Sequence, residues 1–222
     1  MVRGDYRQIL AVLVVLACAV TAEAQSRPLK DVIFVVHQTI QGHDVSFPYP
    51  FGPQLPAAPD FQGETGPGRF LAQWVPQDES VTDWTQIIAL ASTTALPRAG
   101  EDPAAFVVDL LRPFAIEFAE RCAQNPSIVA DVDQRGVHGY RAMIGFRFGC
   151  GRLHGQPRSE DAMIQYFITD HATYSLHWAE RGPTHDPGAV DTARWRQRGG
   201  LMFSLQVCPR LGVDGTPHSP CD

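Results

Sequence analysis

The sequence predicts an α+β fold, a mainly antiparallel sheet with two helices packed on it. Three observations point there. Short apolar runs of strand length recur along the chain, separated by Gly, Pro and Asp turns. The stretch from Pro103 to Cys122 carries its apolar residues at helical spacing. A second helical stretch opens at Pro187 and stops at Gly199-Gly200, after which a strand-like run returns. With 222 residues, 44% of them hydrophobic, the chain can bury one ordinary core.

The N-terminus reads as an export signal. Arg3 and Arg7 precede the apolar run Ile9 to Val20, and Thr21-Ala22-Glu23-Ala24 supplies an A-x-A site before Gln25. A membrane-spanning helix needs about 20 apolar residues, and this run is shorter, so no membrane span is expected. Residues 1–24 are expected to be a signal peptide, 25–208 a single α+β domain and 209–222 a tail. The expected location is periplasmic or secreted. Cys18, in Val15-Leu16-Ala17-Cys18, offers lipid attachment as the alternative, although Leu16 is bulky where small residues are preferred. The net charge is −6, and removing Arg3, Asp5, Arg7 and Glu23 with the signal leaves it unchanged. Nothing in that balance attracts nucleic acid or an anionic membrane.

In chain order, Asp31 to Val36 is the first expected strand, with His37 at its end. From residue 42 to 68 six prolines alternate with Phe47, Tyr49, Phe51 and Phe61, and the spacing predicts a loop with polyproline-like stretches that packs on its own domain or on a partner. Phe70 to Val75 and Thr85 to Leu90 are strands joined by a turn at Pro76 to Ser80. Asp102 is an N-cap and Pro103 a first helical residue. Val107, Leu110, Leu111, Phe114 and Phe118 then form one stripe, with a kink expected at Pro113. Ile128 to Asp133 and Val137 to Phe148 are strands. In the second, Ala142, Ile144, Phe146 and Phe148 face the core, and Arg141, Met143, Gly145 and Arg147 face a partly wet side. Ala162 to Ile168 and Thr173 to Ala179 form a hairpin around Asp170-His171, with Tyr174, Leu176 and Trp178 inward. The second helix runs from Pro187 through Arg198, and Leu201 to Val207 is the last strand.

The order of several short motifs resembles a pattern in small uncharacterised secreted bacterial proteins. These are Val75-Pro76-Gln77-Asp78-Glu79-Ser80, Asp83-Trp84-Thr85-Gln86, Cys122, Gly139-Tyr140-Arg141-Ala142, Cys150, Ala172-Thr173-Tyr174 and Val207-Cys208, spanning residues 70 to 208. Those proteins are similar in fold to the PsbP-type accessory subunit of photosystem II. The resemblance implies a PsbP-like sandwich and supplies no catalytic residue. The segment before Phe61 and the tail after Cys208 lie outside it.

Four cysteines, Cys122, Cys150, Cys208 and Cys221, remain after signal removal, and an even number in an exported chain favours two disulfides. Of the three pairings, strand order selects Cys122 with Cys150, because the strand from Val137 returns toward the helix end as it reaches Cys150. Cys208 is then left to pin the tail through Cys221.

Candidate chemistry is sparse. The eight histidines contain no H-x-x-x-H pair and no cysteine-spaced set, although neighbouring strands can bring His138 or His177 beside Asp131 or Glu180. No G-x-S-x-G, dinucleotide or P-loop sequence is present. Gly149-Cys150-Gly151 is better explained by a disulfide than by a nucleophile. Asp78, Glu79 and Asp83 share one turn and offer oxygens for calcium, without the alternating ligands of a calcium loop. Trp74, Trp84 and Trp178 are candidates to line a ligand pocket between the sheet and the Phe47 to Phe61 loop. No catalytic, cofactor or metal site is therefore expected. The expected function is that of a non-catalytic accessory or interaction protein with a protein or small-molecule partner. The alternative is a small-molecule-binding or enzymatic protein using the groove under the 42–68 loop.

Overall fold

The computed structural model describes residues 35–52, 58–136 and 139–209. The expected signal peptide, Cys18, the start of the first strand, His138, Cys221 and the tail from residue 210 lie outside the described residues.

The chain is α+β, with two sheets and two helices. Strands β1 (Val35–Ile40) and β2 (His43–Pro48) form a hairpin, and the last strand, β10 (Gln206–Pro209), pairs with β2 to complete a three-stranded sheet. The larger sheet contains β3 (Phe61–Gly66), β4 (Arg69–Trp74), β5 (Gln86–Thr93), β6 (Ser127–Arg135), β7 (Ala142–Cys150), β8 (Arg158–Ile168) and β9 (Thr173–Pro183). Its seven strands lie in the order β3-β4-β5-β9-β8-β7-β6, and every neighbouring pair is antiparallel. Helix α1 (Pro103–Arg121) follows β5, and α2 (Thr192–Met202) follows β9.

Alternation along the strands divides the interior into two cores. On one face Trp74, Ile88, Leu90, Met143, Met163, Phe167, Leu176 and Trp178 pack against Val45 and Phe47 of the small sheet, Tyr49 just after it, and Trp195 and Met202 of α2. On the other, Ile87, Ile144, Phe146, Phe148 and Ile164 pack against Phe106, Val107, Leu111 and Phe118 of α1. Asp102 caps α1, its carboxylate accepting the Ala105 N–H at 3.3 Å. Pro113 sits inside the helix. Its cost of about 3 kcal/mol is exceeded by burial of four large side chains at about 1.5–3 kcal/mol each. Leu110 and Phe114 of the expected stripe are only partly buried, and Phe106 joins it.

The helix end is fixed as the sequence implies. Cys122 and Cys150 form a disulfide with their Cα atoms 5.7 Å apart. The Ala123 N–H donates to the Arg152 carbonyl and the His154 N–H to that of Arg121, at 2.8 and 2.9 Å. Cys208 is also disulfide-bonded.

Four expectations are corrected. The 42–68 segment holds two strands, β2 and β3, because its prolines begin only at Pro48 and leave Val45 and Phe47 free to alternate inward. The first described strand, Val35–Ile40, continues past Val36, so His37 lies within it rather than at its end. The second face of β7 is covered: Met143 is buried beneath the small sheet and α2. Helix α2 starts later than Pro187, at the Asp191 cap, and continues through Gly199-Gly200 to Met202. There the missing Cβ of Gly199 is a packing device, since a Cβ would stand 3.3 Å from the Met163 sulfur.

Phe47, 1% exposed and edge-to-face with Trp74 at 5.3 Å, tests the first correction. Phe47→Ala should lower unfolding free energy by about 3–5 kcal/mol in urea titration, whereas a peripheral loop residue would cost under about 0.5 kcal/mol. Replacing both Cys122 and Cys150 by Ser should cost about 3–4 kcal/mol in the same assay.

Candidate functional site

The three tryptophans do not meet. Trp74 and Trp178 share a sheet face, one strand apart across Ile88. Trp84 belongs to the core on the opposite face. Phe47, Tyr49 and Phe51 fill the space against the sheet: Tyr49 meets Phe51 at 5.4 Å, and Phe51 meets Trp178 at 6.2 Å. Trp178 is held further by its indole N–H, which donates to Gln86 Oε1 at 3.3 Å. Trp74 and Trp178 are thus walls of a packed core, whereas Trp84 belongs to the opposite core and also borders an open depression.

The structure instead brings together buried charges that the sequence reading left unconnected. The β8–β9 register sets Asp161 opposite Glu180 and Glu160 opposite Arg181. Glu160, 1% exposed, faces α1 and takes Arg121 at 3.1 Å and Arg181 at 3.0 Å. The last turn of α1 is thereby tied to the sheet by charge as well as by the disulfide. Asp161 and Glu180 face α2. Glu180 pairs with Arg194 at 3.4 Å and with Arg198, whose guanidinium lies 4.8 Å from the Trp178 ring and 4.9 Å from that of Trp195. Such pairing is what makes buried charge tolerable.

Asp161 is matched by His185 from the segment ahead of α2. Imidazole Nε2 lies 3.1 Å from Asp161 Oδ2, and Nδ1 lies 2.7 Å from the Asp186 carbonyl. Both ring nitrogens are thus held in place, one by a carbonyl and one by the carboxyl. Burial pushes the Asp161 carboxyl up, against the pull of His185 and Arg194. Burial likewise pushes Arg198 down to about 10, against the pull of Asp161. Two glycines permit this approach: a Cβ on Gly149 would lie 2.7 Å from the Pro187 carbonyl oxygen, and one on Gly151 would collide with the His185 carbonyl oxygen. Among the described residues no side-chain hydroxyl hydrogen-bonds to His185. The pair clamps the chain ahead of α2.

His177 and Glu180 lie on opposite faces of β9, so the expected contact between them is absent. His177 stands edge-on to Phe114 at 5.0 Å, with its Nε2 unpartnered and sealed from solvent. Burial pushes the imidazole down to about 4, and Arg121 pushes the same way. Asp131, the other acid expected near a histidine, pairs with Arg147 at 3.0 Å.

The acidic turn lines an open depression of about 340 Å³ with Trp84, Thr85 and Arg158. Two of its three acids are already engaged. Glu79 accepts the Thr85 N–H at 2.7 Å and hydroxyl at 2.6 Å, and Asp83 pairs with Arg158 at 3.1 Å. Trp84 carries the Arg181 guanidinium 3.9 Å from its ring centre. No group of three His, Cys, Asp or Glu side chains suited to a metal occurs among the described residues. No protein-family model and no curated protein matches the chain.

His177 gives the fold a testable acid sensitivity. Its folded value lies below the ordinary 6.5, so the folded state binds fewer protons, and the stability it contributes is present above pH 6.5 and lost as pH falls toward 4. The loss should not exceed about 3.5 kcal/mol, and is less for the part of the ring that water reaches. Urea unfolding at pH 7 and pH 4.5 should show a smaller drop for His177→Leu than for the unsubstituted chain.

Proposed function

We propose that this chain is a periplasmic or secreted, non-catalytic accessory or interaction protein, related in fold to the PsbP-like proteins its motifs resemble. One observation carries the reading: both faces of the seven-stranded sheet are covered by the chain's own helices and small sheet. What the fold leaves outward is edge and helix surface, including Ile128 and Val129 of β6 and Val108 and Ile116 of α1, each more than 40% exposed. The Cys122–Cys150 disulfide suits a chain that folds in an oxidising compartment. The alternative, a small-molecule-binding or enzymatic protein using the groove under the 42–68 segment, has less support because Phe47, Tyr49 and Phe51 occupy that space.

A photo-reactive side chain at Ile128 or Ile116 in the exported protein, compared with one at Thr82 beside the depression, tests the proposal. Discrete protein adducts from the first two positions, competed away by the purified mature chain, are the expected result. Adducts from none of the three, together with saturable binding of a small metabolite by the purified chain, would reverse it.

A further inference from the structure

Two turns distant in sequence meet at one end of the fold. His43 opens β2 directly after the β1–β2 turn, and His171 sits in the β8–β9 turn; their ring centres are 5.5 Å apart with a 32° tilt. The Nδ1 of His43 lies 3.1 Å from the Gln41 carbonyl. A carbonyl can only accept, so in the neutral ring Nδ1 carries the proton and Nε2 presents its lone pair. Metal-binding histidines are oriented by this same bond. Two imidazoles on one ion, with metal–nitrogen bonds of about 2.0–2.1 Å at the tetrahedral angle, place their ring centres about 5.2 Å apart. The observed separation differs by a few tenths of an ångström.

A second observation comes from oxygen atoms. Tyr174, fully buried, stands edge-on to His43 at 6.0 Å, and its hydroxyl has no hydrogen-bond partner. Ser92 lies opposite Tyr174 in the β5–β9 register, and its hydroxyl is likewise buried and unpartnered, as is Gln41 Oε1. Buried polar atoms left without partners need an explanation, and an ion with its bound waters is one that also uses the imidazoles.

We propose that His43 and His171 bind one late divalent transition ion, Zn2+ or Cu2+, through imidazole nitrogens, with its other positions held by water. Tyr174 serves as a hydrogen-bond partner for such a water, its hydroxyl being buried and without another partner. His171 is exposed, which leaves the ion a route in. The site is independent of the accessory reading.

The test uses the mature chain without an affinity tag. Zn2+ and Cu2+ titrated calorimetrically should each bind with a stoichiometry of one, and the Cu2+ complex should show spin coupling to two imidazole nitrogens. His171→Ala lies on an exposed turn and should fold normally; it should weaken binding roughly tenfold or more and leave coupling to one nitrogen. His43→Gln should do the same, with circular dichroism confirming its fold. Absence of saturable binding, or binding that His171→Ala retains unchanged, overturns the site. So does loss of binding on substituting His37 or His154 in place of these two.

Discussion

The β8–β9 hairpin is the constraint on which the rest of the structure depends. Its strands pair over their whole length, from Arg158 opposite Pro183 to Ile168 opposite Thr173. The turn is fixed by the Thr169 hydroxyl, which accepts the N–H groups of His171 and Ala172 and donates to the Ala172 carbonyl. A register slip of one residue would turn every side chain of either strand to the wrong face. Because β8 and β9 are central, that parity is inherited by β7 on one side and β5 on the other. Which residues meet α1 and which meet α2 follows from this one turn.

The same parity accounts for the buried charge. Glu160 and Asp161 are adjacent in sequence yet serve opposite faces, one tied to the end of α1 and the other to the segment ahead of α2. Each helix is thus fastened to the hairpin by carboxylates as well as by apolar burial. Removing one partner from such a pair leaves an uncompensated charge, which costs more than the intact pair gains. The ionic contacts therefore fix where the helices sit more than they add to net stability.

Much of this was legible in the sequence. The Asp102-Pro103 start of α1 and the Asp170-His171 turn are local signals, and both elements form where they point. The Cys122–Cys150 pairing followed from strand order. What the sequence hid depended on contact between distant segments. Prolines 48 to 59 drew attention away from Val45 and Phe47, whose alternation is plain once Pro48 is taken as a strand end. Gly199-Gly200 has the composition of a helix stop, and only Met163 beneath it explains why the helix continues. Asp161 and Glu180 flank the two apolar runs of the hairpin, so counting outward from the turn would have paired them. The arginines that join them come from a helix whose placement no local pattern gives.

The Cys122–Cys150 bond closes a covalent ring that contains the whole of β6 and of β7. β6 is an edge strand, the kind of element that two copies of a protein can trade. A strand inside a closed ring cannot be lent on its own, because the receiving molecule would have to admit the entire loop. The bond thus acts on topology: it keeps one edge strand of the larger sheet the property of its own chain, even when that edge has come loose.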